Sequence, residues 1–321
     1  MLHDFAATRN EPTDENPYPY NLADVDSISN ALGIPWEPSK DVPFTLTPTF
    51  ISFTWDLEQR MVSLAEVKRH KYLSALHEWS TKRTHTLHKA QELLSKLTHA
   101  LQILPEGHPH LANLETMLTI FGHKPFVPHT PPKGSQDNIM WWTKRLAEQA
   151  PPAPIPIPQP PINFHMFSNA SSTIGIGICI QGRWHAWTLR PGWNTNGHDI
   201  GWAEAVGFEL LAHTLLLLVK PSITLLIHGN NQGVIEVWHH GCSRNKHINN
   251  IFKHLIPDLV CFDCHIITKY VPSGGNPTNP LSCSLFPSCT LLLPPILIPN
   301  DLAPFLFNHT RDPTASITCH A

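Results

Sequence analysis

Phe164-His-Met-Phe167, Gly175-Ile-Gly-Ile-Cys-Ile180 and Arg183-Trp-His-Ala-Trp-Thr-Leu189 are three short strand patterns in succession, separated by residues that favour turns. Beyond them the pattern lengthens. Ile200 to Val219 is an apolar run too long for one strand and reads as a helix, and Ile223 to Ile227 returns to a strand. A helical stretch then covers much of Gln232 to Leu259, and His265 to Val271 is a last strand. Three strands, helix, strand, helix, strand specify an α/β fold, a mixed sheet with flanking helices.

Upstream of this block, Pro151 to Pro161 reads Pro-Pro-Ala-Pro-Ile-Pro-Ile-Pro-Gln-Pro-Pro. Proline lacks the amide donor a helix needs, so the segment is expected to be a semi-rigid polyproline spacer and a domain boundary. Residues 1–60 are rich in Pro, Asp and Asn and pass through Leu32-Gly-Ile-Pro-Trp36 into Phe50-Ile-Ser-Phe-Thr-Trp55, whose alternating apolar pattern suits a strand in a hairpin or small sheet. Ser63-Leu-Ala-Glu66 has the form of a capping box and predicts a helix carrying Val67, Leu73, Leu76 and Trp79. Leu87, Ala90, Leu93, Leu94, Leu97, Leu101 and Leu104 recur at three and four residues and give a second helix one apolar face. Leu111 to Phe121 and Ile139 to Ala150 predict two more. This periodicity implies packing and not chemistry. The expected division is therefore 1–150 helix-rich, 151–161 linker, 162–285 α/β domain, and 286–321 a proline-broken, irregular tail.

Composition narrows the function classes. The 321 residues suffice for two modest domains, and 22 Lys plus Arg against 25 Asp plus Glu give a net charge of -3. That removes the large basic excess of a general nucleic-acid binder, so any such binding must be local. Cys179, Cys242, Cys261, Cys264, Cys283 and Cys289 show no regular framework, and reduced thiols in an intracellular compartment, cytoplasm or nucleus, are expected. The close pair Cys261 and Cys264 lacks a second pair at finger spacing, so two thiols on a half-buried strand are favoured over a zinc site. The 22 histidines, His239, His240 and His247 among them, show no repeated spacing that would build a metal site. No apolar run is expected to span a membrane; Leu291 to Ile298 is short and broken by Pro294 and Pro295.

Four segments carry the residues that matter for chemistry. They are Ser168-Asn-Ala-Ser-Ser-Thr-Ile-Gly-Ile-Gly177, Asp199-Ile-Gly-Trp-Ala-Glu-Ala-Val-Gly-Phe-Glu-Leu-Leu211, His228-Gly-Asn-Asn-Gln-Gly-Val-Ile-Glu236, and Tyr270-Val-Pro-Ser-Gly-Gly-Asn-Pro-Thr-Asn-Pro-Leu-Ser282. With Gly241-Cys-Ser-Arg-Asn-Lys246 between the last two, their order resembles the ribonuclease H-like domain of a retroelement reverse transcriptase. The resemblance implies a site of clustered carboxylates holding two Mg2+ ions, which activate a water and stabilise the leaving oxygen of a phosphodiester. Glu204 matches the family's helical glutamate. Asn169, Asn230 and Asn279 stand where the family has aspartates, and Cys283 where it has arginine. Upstream, Phe50 to Asp56, Val62 to Arg69 with Lys71-Tyr-Leu73, Pro105-Glu-Gly107, and Leu111 to Pro128 resemble the late-palm, thumb and connection segments of reverse transcriptases from fungal, DIRS-like retrotransposons. The resemblance thus implies a ribonuclease H-like mixed sheet preceded by a helix-rich thumb/connection remnant. No Tyr-x-Asp-Asp motif or fingers segment precedes it, and polymerisation by this chain is not expected.

Taken singly, an asparagine after a strand is an ordinary turn residue, and Glu204 an acid suited to a helix N-terminus. As a set they leave one anion where the family has about four, and magnesium, which gives up water reluctantly, is expected to bind poorly. Asp199 is expected to precede the first helical turn and not to replace a lost ligand. The expectation is a pseudoenzyme that folds and does not cut, with no resident cofactor. The alternatives are a nucleic-acid-binding module gripping RNA/DNA hybrid or single strands through Arg183, Arg244 and Lys246, and a weak metal-dependent hybrid ribonuclease. Against the family pattern, Asp to Asn at 169, 230 and 279, Ala to Thr at 278, Gly to Ser at 52 and Arg to Cys at 242 and 283 are each reachable by one C-to-T or G-to-A change. That bias is expected of an element copy decayed by cytosine deamination or a repeat-directed process.

Overall fold

The computed structural model describes residues 20–34, 41–148, 152–155, 159–172, 175–288 and 291–308. Trp36, the end of the fourth expected helix at 149–150, spacer residues 151 and 156–158, residues 173–174 of the first motif, Cys289, and residues 309–321 lie outside them.

Asn21 and Asp24 satisfy each other's backbone donors and start helix α1 (Leu22–Ala31). Strands β1 (Thr49–Phe50) and β2 (Phe53–Asp56) form a hairpin whose two turn residues, Ile51 and Ser52, both have positive φ, 48° and 69°. Such a turn matches the twist of its strands but favours glycine and asparagine. Strand β3 (Met61–Leu64) pairs antiparallel with β2 and contains Ser63, opposite Thr54. The expected capping box therefore does not form: helix α2 (Glu66–Ser80) starts after Ala65 without a side-chain cap, and Glu66 binds the Arg69 guanidinium at 2.8 Å. The sheet claims the serine before the helix can use it. Val67 is 80% exposed, and the buried face of α2 is Tyr72, Leu76 and Trp79.

Helix α3 (Leu87–Ala100) is capped by Thr86 and buries Ala90, Leu93, Leu97 and Ala100, as the three- and four-residue spacing requires. A 3-10 turn at Pro105–His110 leads to helices α4 (Ala112–Ile120) and α5 (Ser135–Ala147). Within the proline segment Ala153–Pro154 form an edge strand, β4, against β3, a position where a missing N–H costs nothing.

Two compact units result: Met1–Lys82 with Gln102–Leu104 and Met140–Ile157, and Arg83–Leu101 with Pro105–Ile139 and Pro158–Ala321. Packing thus divides the chain differently from the expected 150/162 boundary, because α3 and α4 group with the α/β domain.

That domain contains β5 (Ile162–Ala170), β6 (Gly175–Ile180), β7 (Arg183–Leu189), α6 (Ile200–Leu218), β8 (Ile223–Gly229), α7 (Gln232–His240), α8 (Lys246–Phe262), β9 (Cys264–Tyr270), α9 (Asn279–Ser282) and β10 (Leu306–Asn308). Its six-stranded sheet runs β10-β7-β6-β5-β8-β9. Strands β5, β6 and β7 are antiparallel neighbours, whereas β8 and β9 run parallel to β5. Three antiparallel strands continued by two parallel ones, with helices between the latter, is a ribonuclease H-like mixed α/β sheet.

The sixth strand comes from the expected tail. β10 pairs antiparallel with β7, and Leu293, Ile296, Leu302 and Leu306 enter the main core. Proline breaks a regular helix but does not keep the leucines between prolines out of a core. Helix α6, 19 residues long with an 18-residue window of mean hydropathy 1.3, could by length and composition alone cross a membrane, unlike the shorter run considered above. It is instead the buried core helix, packed on the sheet and on α8. Gly207 lets it lie close, since a Cβ there would sit 3.1 Å from Ile176 Cγ2.

Candidate functional site

Parallel strands deliver their C-terminal ends to one edge, and in open α/β sheets that edge is where sites form. Here β5 ends in Ser168-Asn169-Ala170 and β8 in His228-Gly229, followed by Asn230. The segment after β9 turns back through a 3-10 turn at Ser273–Gly275 and the single-turn α9, which packs on β6. Gly177 permits this approach: a Cβ there would lie 2.5 Å from Leu281 Cβ.

The amides of these segments form a continuous chain. Asn276 Nδ2 donates to Asn230 Oδ1 at 3.2 Å and to the Ser168 carbonyl at 2.9 Å. Asn230 Nδ2 donates to Asn169 Oδ1 at 3.0 Å. Asn169 Nδ2 donates in turn to Asn279 Oδ1 at 2.7 Å and Ser282 Oγ at 2.8 Å. Asn279 Nδ2 ends the chain on Ser273, at its carbonyl and its hydroxyl. Thr278 donates both its N–H and its hydroxyl to Asn276 Oδ1, at 3.0 and 2.5 Å. Asn169, Asn276, Thr278 and Ser282 are buried. Each amide acts as both donor and acceptor, which a carboxylate cannot do.

Glu204 stands on the first turns of α6, beside this chain. Its carboxylate accepts the Ala170 N–H, next in sequence to Asn169, and with Ser168, Asn230, Asn231 and Thr268 it lines one small cleft. Burial pushes its pKa up to about 7, the backbone hydrogen bond opposing. Asn169, Glu204, Asn230 and Asn279 are thus brought together at one end of the sheet. Asp199 caps α6, its side chain accepting the Trp202 N–H at 2.8 Å.

Two solved structures of foamy viral protease-reverse transcriptase are similar to this chain. One, of the form described as dRH in complex with double-stranded DNA, is 12% identical with a TM-score of 0.35, covering 78% of this chain and 42% of that one. The other, in complex with an RNA/DNA hybrid, is 12% identical with a TM-score of 0.31, covering 87% of this chain and 35% of that one. The chain therefore spans less than half the length of either, and a likeness at this identity concerns the fold alone. No family model and no curated protein matches the chain.

The three cationic residues expected to grip nucleic acid are not brought together. Arg183 opens β7 at the opposite end of the sheet, paired with Ile180, and its guanidinium donates to the Leu292 carbonyl at 2.9 Å. Arg244 and Lys246 are exposed at the start of α8. This is the site's end of the domain, since α8 runs back to β9, which starts at the far end. Cys261 is exposed and Cys264 buried, both free, and among the described residues no group of three or more His, Cys, Asp or Glu side chains is placed to hold a metal ion. Sequence reasoning missed Asn276, Ser273 and Ser282 as members of the amide chain. They lie inside the quoted Tyr270 to Ser282 segment, but nothing in their spacing marks them, because the partner of each is a residue brought in by folding.

Proposed function

We propose that the chain is a degenerate reverse transcriptase/ribonuclease H-like protein whose hydrolytic site has become a hydrogen-bonded structural joint. The observation that carries this reading is the amide chain from Asn276 through Asn230 and Asn169 to Asn279. Aspartates at 169, 230 and 279 would oppose oxygen to oxygen and need cations between them, whereas asparagines satisfy one another. A pair of divalent cations does not fit these residues. The amide oxygens are already occupied by amide donors, and the one carboxylate, Glu204, holds its proton up to about neutral pH. Wild-type protein is expected to show no Mg2+- or Mn2+-dependent cleavage of an RNA/DNA hybrid; cleavage that disappears in Glu204→Gln would overturn the reading.

A second reading, binding without cleavage, draws on Arg244 and Lys246, which are exposed at the site's end of the domain. Salt-sensitive affinity for a hybrid, weakened by Arg244→Ala and Lys246→Ala, would support it, and no binding at low salt would exclude it. As to origin, a fungal DIRS-like retrotransposon accounts for the upstream segments, and deamination for the direction of the substitutions. Random transversions at positions 169, 230 and 279 among genomic copies would contradict that origin.

A further inference from the structure

A second group of ionisable side chains lies away from the amide chain, where α6, α8 and the segment before β10 meet. Glu209 on α6 is completely buried, and neither of its carboxylate oxygens has a hydrogen bond. Its nearest cation is His213, one turn further, with Nε2 3.6 Å from Oε1. The other ring nitrogen of His213 is 3.9 Å from Asp258 Oδ2 on α8. His254, also on α8, binds Asp301 Oδ2 at 3.1 Å, and Asp301 belongs to the 299–305 turn that carries Leu302 and Phe305 onto the core. Three carboxylates and two imidazoles, from three elements, therefore face one another. The charged groups of α6 here are Glu209 and His213, those of α8 are Asp258 and His254, and the turn supplies Asp301.

We propose that this group is a pH-sensitive seal, which holds the 299–306 segment and β10 on the domain at neutral and acidic pH and releases it at alkaline pH. With a proton on His213 the buried Glu209 has a counter-charge. Without that proton Glu209, Asp258 and Asp301 are three anions around a neutral ring, and only the Asp301 turn can leave without unpacking a helix. Burial raises the Glu209 pKa, and its neighbouring carboxylates raise that of His213 against burial. The sealed pair therefore keeps one proton that the opened pair gives up. A state that binds more protons is favoured as pH falls, so above the ordinary histidine pKa of 6.5 opening is promoted by about tenfold per pH unit until the sealed pair too loses its proton.

Hydrogen exchange of residues 299–306 in the full chain, corrected for the intrinsic pH dependence of the amide, reads this opening directly. Its equilibrium constant is expected to climb with pH, by severalfold or more between pH 6.5 and 8.5. Glu209→Gln should abolish the climb. Should that buried substitution fail to fold, Asp301→Asn at the exposed rim removes one of the three anions and should lessen it severalfold. A constant that does not vary with pH in the wild type, or that climbs equally in a folded variant of either kind, would overturn the proposal.

Discussion

Glu204 links the candidate site to the stability of the fold. Its pKa is about 7 in the folded protein against 4.5 for a free carboxyl, so the folded state binds more protons between these values. The contribution is therefore stabilising at low pH and is lost as pH rises through about 7, by on the order of 3 kcal/mol in total. Glu204→Gln removes the ionisation. Its stability relative to wild type is expected to improve by that amount from pH 4.5 to pH 8, as read from denaturant midpoints; parallel pH profiles would show that Glu204 does not bear the charge penalty. The asparagines respond differently. Asn169→Asp alone turns a donor into an acceptor facing Asn279 Oδ1, a contact now of 2.7 Å, and should cost about 1–3 kcal/mol without creating a metal site. Asn169→Asp with Asn230→Asp and Asn279→Asp should leave a fold that Mn2+ stabilises, with weak hybrid cleavage abolished by Glu204→Gln, because carboxylates sharing cations act as a unit. A triple variant that folds but is neither stabilised by Mn2+ nor active would place the damage beyond the acids, with Cys242 and Cys283 next to revert. The Cys242 thiol donates to the Glu115 carboxylate at 3.2 Å, and burial together with that anion pushes its pKa up to about 12.

At the scale of the element, Ser52 and Gly177 decide more than their neighbours. Ser52 occupies the second turn position of the β1–β2 hairpin at φ 69°, a left-handed conformation that costs an L residue about 1–2 kcal/mol. Ser52→Gly, the residue the family resemblance places there, is expected to raise stability by about 1 kcal/mol; no change in thermal midpoint would mean that the turn is not strained. Gly177 presents the opposite case. A methyl group there meets Leu281, so Gly177→Ala should push α9 off β6, cost about 1–3 kcal/mol and break the Asn169 to Asn279 bond. Unchanged amide exchange across residues 276–283 would refute that dependence. The strands were legible because turns bound them: β6 and β7 have the limits expected from the sequence, joined by Gln181 and Gly182 at φ 52° and 77°. The capping box was misread because a serine followed three residues later by glutamate has the same form whether or not a strand already holds the serine.

For the whole molecule, the unit that holds the candidate site begins well before the proline segment. Asn249, buried on α8, donates to the Pro109 carbonyl at 2.7 Å, and Lys253 reaches Asn138 Oδ1 at 3.2 Å. A fragment starting at Pro158 removes the acceptors of the Asn249 amide N–H, the Lys253 ammonium and the Cys242 thiol, at about 1–3 kcal/mol for each buried one. A fragment of residues 83–321 is therefore expected to unfold at clearly higher denaturant than one of residues 158–321, and equal midpoints would show that α3 and α4 contribute nothing to the fold.

Local sequence by itself determined strands β5 to β9 and the helices α3 and α6, because turn residues and the three- and four-residue spacing act between near neighbours. The resemblance of four short segments, and not their local pattern, singled out Asn169, Glu204, Asn230 and Asn279. Only the tertiary structure decided that Asn276, Ser273 and Ser282 join the amide chain, that residues before the proline segment support α8, and that the proline-broken end supplies a sixth strand. Each of these depends on hydrogen bonds or burial between segments far apart in the chain, and no local periodicity records which partner a folded neighbour will bring.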